Sequence, residues 1–175
     1  MVTQVRMGEL AVSCRAGDEL MVVGLGSCIG LALVDRPGGV AALAHVVLPE
    51  SQGVQRPRAK YADLAASALL EEMEAVGALR RRVEAVLIGG ARMFSVGSSF
   101  DIGARNAHRV RAALGDLGVK IHAEDVGGNR GRSARIVLGQ EISSQLAGSP
   151  RESLLSLSSE ASISMAPTTA QGTKS

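Results

Sequence analysis

A chain of 175 residues has room for one domain with a real core, and its 46% hydrophobic content argues against disorder over most of its length. Aromatic residues make up only 2%, so the core must be built from Val, Leu, Ile and Ala, and the stacking platforms of a single-stranded nucleic-acid binder are missing. The formal charge of +2 is too small to imply a polyanionic partner by itself.

In chain order, Glu19 to Val23 reads as a short strand running into a glycine turn, Gly24-Leu25-Gly26-Ser27-Cys28-Ile29-Gly30. Ile29 to Val34 reads as a second strand, and Asp35-Arg36-Pro37-Gly38-Gly39 as a loop with turn residues throughout. Val40 to Leu48 is almost entirely apolar, which predicts a strand buried on both faces that stops at Pro49. Ser51 to Arg58 is polar and reads as a surface loop. Ala62, Ala65, Leu69, Met73 and Val76 recur at helical spacing, predicting a helix over 59–76 that Gly77 ends. Val83 to Ile88 is a strand closed by Gly89-Gly90. Asp101 can cap a second helix, with Val110, Ala113, Leu114 and Leu117 on its inner face and Gly118 at its end. Val119 to Val126 alternates, which puts Val119, Ile121 and Ala123 on one face, and Arg135 to Leu138 reads as a last short strand.

From Ser143 onward Ser, Thr and Ala dominate. The expectation is a folded domain over 1–142 and a disordered tail over 143–175, with no more than a short helix around Glu152 to Leu157. Adjacent strands mixed with two helices predict an α+β single-domain layered α/β sandwich with a mixed sheet. No apolar stretch has the length of a membrane span and no apolar leader follows basic residues at the start, so neither membrane insertion nor secretion is expected. With two cysteines, Cys14 and Cys28, the reading is a cytoplasmic protein with reduced thiols.

Cys28 is the first candidate for chemistry. A free cysteine is usually a small buried apolar residue, but glycines at 24, 26 and 30 let the backbone turn sharply and leave N–H groups near the thiol. Gly26 and Ser27 are thus candidates for supporting an oxyanion hole. His45 lies in the middle of the next strand. A lone histidine in an apolar run is usually a core residue, yet burial would keep its pKa near or below neutrality and suit it to act as a base. The other two histidines are poorer candidates: His108 falls off the apolar face of its helix, and His122 lies on the polar face of its strand. Cys28 as nucleophile and His45 as proton carrier make the pair that a cysteine hydrolase needs. On this reading Cys28 is the activated thiol, and Cys14, which lacks that setting, is the quiet one.

Two rival motifs are weaker. Gly24-x-Gly26 opens like a dinucleotide fingerprint, but Ile29 stands where the third glycine belongs and a strand follows where a helix should. The turn Gly127-Gly128-Asn129-Arg130-Gly131-Arg132 reads either as structural or as an anion-binding turn through Asn129, Arg130 and Arg132. The cysteines and histidines show no ligand spacing, so no metal is expected.

Six ordered blocks carry a further signal. They are Gly24-Leu25-Gly26-Ser27-Cys28, Ala44-His45-Val46-Val47-Leu48-Pro49, Lys60-Tyr61-Ala62-Asp63, Gly89-Gly90-Ala91-Arg92-Met93-Phe94, Ile102-Gly103-Ala104-Arg105-Asn106 and Glu124-Asp125-Val126-Gly127-Gly128-Asn129-Arg130-Gly131-Arg132-Ser133. In order and spacing, over about residues 5 to 140, they resemble the chemoreceptor glutamine deamidase (CheD) family. The resemblance implies a protein-glutamine glutaminase acting on the cytoplasmic helices of bacterial chemoreceptors, with the family's cysteine falling on Cys28 and its histidine on His45. It implies a fold similar to cysteine-dependent deamidating toxins and a CheC-type phosphatase as partner; the thiol and imidazole chemistry itself needs no cofactor. Family members commonly place a threonine six residues before the cysteine to orient the histidine; here that position is Val22. The same acyl-thioester chemistry would hydrolyse a glutamyl methyl ester. The alternative is a weakly active or inactive binding module that docks a chemotaxis phosphatase or receptor, and Val22 is the feature that favours it.

Overall fold

The computed structural model of the chain describes residues 1–53, 56–93 and 101–158. Among the described residues ten strands form two mixed five-stranded sheets, and two α-helices cover one of them. The first sheet contains β2 (Leu10–Ser13), β5 (Val40–Val46), β4 (Ile29–Asp35), β6 (Glu84–Gly89) and β7 (Lys120–Val126), in that order. All its neighbours are antiparallel except β6 and β7. The second sheet contains β1 (Val2–Gln4), β3 (Glu19–Leu25), β8 (Arg132–Val137), β9 (Glu141–Leu146) and β10 (Arg151–Ser156), with β1 parallel to β3 and the rest antiparallel. Helices α1 (Ala62–Ala75) and α2 (Ile102–Asp116) lie on the outer face of the first sheet. The order of layers is helices, sheet, sheet, which is the α+β sandwich expected from the pattern.

Strict alternation in the central strands divides the core in two. Ile29, Leu31 and Leu33 of β4 and Val40, Ala42, Ala44 and Val46 of β5 pack against Ala65, Leu69 and Met73 of α1 and Val110 and Leu114 of α2. The residues between them, Ala32, Val34, Ala41 and Leu43, face the second sheet and meet Leu20, Val22, Ala134, Ile136 and Ile142. Both faces of β4 and β5 are therefore apolar, and every residue of the two strands is buried. This explains why their sequences run apolar without a polar face. The small side chains of α1 (Ala62, Ala65, Ala66, Ala68) bring the helix close to the sheet without aromatic filling.

The sequence-predicted strands are all present, with ends shifted by a few residues. Gly77 and Gly118 close the two helices, and the Asp101 side chain accepts from Ala104 N–H at 3.0 Å as the N-cap of α2. The first predicted helix starts later, because Arg58–Lys60 forms a separate 3₁₀ turn. Val76 lies past the end of α1 and is exposed. A register shift between Ala85 and Val86 leaves His122 out of the pairing, so Val119 and Ile121 face the helices while Ala123 faces the second sheet. The single face expected for these three residues is split for that reason.

The expected break at Ser143 is corrected. Residues 141–146 and 151–156 are strands β9 and β10, and the second sheet is built on them. The short helix expected around Glu152 is strand instead. Ile142, Leu155 and Leu157 supply the buried side chains, while Ser143 and Ser144 are buried as small residues. The Ser144 hydroxyl donates to the Asp125 carboxylate at 2.6 Å, which satisfies a polar group that composition alone assigns to solvent. The remainder of the expected tail, 159–175, lies outside the described residues, as do 54–55 of the polar loop and Phe94 of the fourth sequence block.

Candidate active site

The glycine turn joins β3, at the edge of one sheet's core, to β4, at the centre of the other. Three bonds fix it. Ala91 N–H donates to the Gly26 carbonyl at 2.8 Å, and Gly90 N–H donates to the Cys28 carbonyl at 2.8 Å. The amide of Asn106, on α2, donates to the Ser27 carbonyl at 2.9 Å. Gly89 has φ +114, and a Cβ there would collide with the Cys28 carbonyl, so no other residue fits that position. A Cβ on Gly103 would sit 2.7 Å from the Ala91 carbonyl, so glycine is also what lets α2 close onto the 90–91 segment.

Cys28 is half-buried and packs against the inter-sheet core. His45 is buried, and because Ala44 and Val46 face the helices, its ring faces the second sheet. Gly30 is the direct partner of His45 in the β4–β5 ladder. Cys28, two residues before Gly30, is therefore the diagonal neighbour of His45 on the same face, within reach of a side-chain contact. The structure brings the two sequence-predicted residues to one face of one sheet.

It does not join them by a hydrogen bond. Both ring nitrogens of His45 are buried without a hydrogen-bond partner among the described residues. Burial pushes the His45 pKa below its ordinary 6.5, opposed by a weaker pull from the Val5 backbone that does not amount to a well-formed bond. Burial also pushes the Cys28 thiol above its ordinary 9.0. Both shifts favour the uncharged forms, a thiol and a neutral imidazole. Cys14 is exposed in the turn after β2. His108 and His122 are both exposed, and His122 Nδ1 lies 3.7 Å from Glu84.

Val22 is fully buried on β3 and faces the same inter-sheet layer as His45. Val5 follows the parallel pairing of β1 with β3 and is held by its N–H to the Met21 carbonyl at 2.8 Å. The layer around the imidazole is thus lined by apolar side chains and one backbone strand.

In the 127–132 turn, Arg132 is nine-tenths buried and serves the turn itself. Its Nε donates to Asp125 at 2.9 Å and its Nη1 to the Gly127 carbonyl at 2.7 Å. Arg130 makes only a long bond to the Ala147 carbonyl, 3.3 Å, and Asn129 is exposed. Among the described residues no group of three His, Cys, Asp or Glu could hold a metal ion, and no helix is long and apolar enough to cross a membrane.

Asn106 is the site residue that sequence reasoning did not single out. It is fully buried, and its second N–H goes to the Val47 carbonyl at 3.0 Å, just past the His45 strand. A signal was present: the inward face of α2 runs Gly103, Ala107, Val110, Ala113 and Leu114, and Asn106 is the polar residue among them.

Comparison with known proteins places the chain. The family model for CheD chemotactic sensory transduction matches residues 47–141. A chemoreceptor glutamine deamidase CheD of Thermotoga maritima is 45% identical over 127 residues, covering 73% of this chain and 80% of the relative. One of Halalkalibacterium halodurans is 43% identical over 138 residues, covering 75% and 85%. A probable one of Clostridium novyi is 46% identical over 121 residues, covering 66% and 74%. Among solved structures, a Neisseria meningitidis protein of the DUF152 family is similar with a TM-score of 0.39 and 16% identity, covering 69% of this chain and 52% of that one. With these relatives and that family match, the chain belongs to the CheD family.

Proposed function

We propose that the chain is a cysteine-dependent protein-glutamine glutaminase that converts glutamine side chains on bacterial chemoreceptors to glutamate. The observation that carries this reading is the meeting of Cys28 and His45 on one face of the sheet, in a chain whose relatives are named chemoreceptor glutamine deamidases.

The chemistry follows from a neutral pair. As Cys28 Sγ bonds to the carboxamide carbon, its proton passes to His45 and the C=O π pair moves onto oxygen. That oxyanion needs donors, and the N–H groups of Ser27 and Cys28 are beside it. The intermediate collapses: the C–N bond breaks, the imidazolium returns its proton to nitrogen, and ammonia leaves. A thioester on Cys28 remains. Water then attacks, giving a proton to His45; the C–S bond breaks, Cys28 recovers a proton, and a glutamate side chain is released. No group outside Cys28, His45 and the loop amides is required. A glutamyl methyl ester would follow the same steps, with methanol leaving.

On this reading the substrate is the cytoplasmic helices of chemoreceptors, the partner is a CheC-type phosphatase, and the protein acts in the cytoplasm. A second reading is a docking module of low activity. It draws on the apolar Val22 and the unpartnered imidazole, which leave His45 without an orienting hydroxyl. Hydroxylamine separates the two. With the enzyme and a receptor cytoplasmic fragment, it should divert the thioester and leave glutamyl hydroxamate on the receptor; Cys28→Ala should leave none. Equal amounts with both proteins would favour the docking module.

A further inference from the structure

Asn106 bonds two carbonyls that lie 79 and 59 residues away in sequence, one in the nucleophile turn and one past the histidine strand. Both partners are acceptors only, so the amide must present its NH₂ to them. Its Oδ1 is buried with no hydrogen-bond partner among the described residues. What holds Asn106 in the core is therefore its two donors.

The consequence lies in the peptide plane. In a trans peptide the C=O of one residue and the N–H of the next point in opposite directions. Asn106 reaches the Ser27 carbonyl from the helix side of the sheet. The Cys28 N–H is thereby turned to the other side, the side of the Cys28 and His45 side chains. Ala91 N–H does the same one residue earlier: it holds the Gly26 carbonyl and turns the Ser27 N–H away from itself. Neither the Ser27 nor the Cys28 N–H donates to a described carbonyl. Two successive donors are left pointing away from their neighbours, and two carbonyls are tied down to keep them so.

We propose that Asn106 is the positioning residue of the oxyanion hole, holding the Ser27 carbonyl on the helix side so that the Cys28 N–H faces the developing oxyanion. This rests on the reading of Cys28 as an acyl-transfer nucleophile. The competing role is a structural cross-link between α2, the nucleophile turn and the end of β5, which would disturb everything at the site alike.

Two reactions of the same thiol distinguish these roles, measured in a Cys14→Ser background. Iodoacetamide alkylates Cys28 by displacement at a saturated carbon, with no oxyanion. p-Nitrophenyl acetate acylates it: the Sγ–C bond forms, the carbonyl π pair moves to oxygen, and the intermediate then expels p-nitrophenolate with the C–O pair, the thiol proton going to His45. Asn106→Ala should slow acylation about 10²-fold or more and leave the alkylation rate and its pH dependence within about twofold. Circular dichroism verifies the fold, and Asn106→Ser, which keeps a hydroxyl donor, carries the test if the alanine variant does not fold. An equal loss in both reactions, or no loss of acylation, would overturn the proposal. Failure of Cys28 to be acylated in the Cys14→Ser protein itself would instead overturn the nucleophile reading, and the oxyanion hole with it.

Discussion

Gly30 of β4 stands directly across from His45 of β5, and this pairing makes Cys28 the diagonal neighbour of the imidazole on the inter-sheet face. Glycine at position 30 also has a packing reason. A Cβ there would sit 3.0 Å from the Leu25 side chain and 3.3 Å from that of Ala134, so glycine lets the second sheet pack tightly at this point. The result is a half-buried thiol and a buried imidazole facing the layer between two sheets. Burial pushes each toward its uncharged form.

The first prediction concerns the thiols. With iodoacetamide at neutral pH, exposed Cys14 should label faster than half-buried Cys28, and the midpoint of the Cys28 rate against pH should lie above the ordinary cysteine value of 9.0. Peptide mapping of the alkylated protein across pH checks this. Faster labelling of Cys28 at pH 7 would mean that a thiolate–imidazolium pair exists before substrate binds.

His45 should limit both activity and acid stability. Because its folded pKa lies below 6.5, the folded state binds fewer protons than the unfolded chain as pH falls through and below that value. Stability is therefore unaffected by this group well above pH 6.5 and lost as pH drops toward the folded pKa. His45→Gln should move the onset of acid destabilisation from near 6.5 down toward the carboxylate range, around the ordinary Asp value of 3.8. The same variant should lose turnover by about 10²-fold or more. Melting temperature against pH and deamidation rates for both proteins test the pair of effects, and an unchanged onset would contradict the buried neutral imidazole.

Val22→Thr should raise kcat/KM on a receptor fragment by about tenfold, equivalent to about 1.4 kcal/mol. Val22 is fully buried in the layer that His45 faces, and the ring nitrogens lack partners there. A hydroxyl of nearly the same shape would gain a partner and orient the ring, offsetting its own desolvation. Reduced stability without a kinetic gain would show that the hydroxyl finds no partner, and that His45 is already held.

The fold was legible wherever a local pattern specifies a local outcome. The apolar runs of β4 and β5, the helical spacing of α1, the Asp101 cap and the closing glycines all state their structure within a dozen residues. The turn carrying Cys28 and the strand carrying His45 were legible for the same reason. What was not legible depends on distant partners. β9 and β10 read as solvent-exposed because Ser143 and Ser144 are polar, and the Ser144 hydroxyl finds its partner in Asp125, on a strand of the other sheet. The one-residue bulge at His122 arises from the pairing with β6, not from the alternating sequence of its own strand. Asn106 acts on carbonyls that only the finished fold brings to it. The raised Cys28 pKa likewise depends on how deeply the second sheet covers the turn.

The central claim is that Cys28, with His45, hydrolyses glutamine side chains of a chemoreceptor. The most direct test is peptide-level mass spectrometry of a purified receptor cytoplasmic fragment incubated with the wild-type chain, Cys28→Ala or His45→Gln. The account predicts that specific glutamines gain the small mass that replacing an amide NH₂ by OH gives, with the wild-type chain, and that both variants leave those peptides at the background of receptor alone. Conversion by Cys28→Ala at the wild-type rate, or no conversion by the wild-type chain of a fragment that it demonstrably binds, would contradict it.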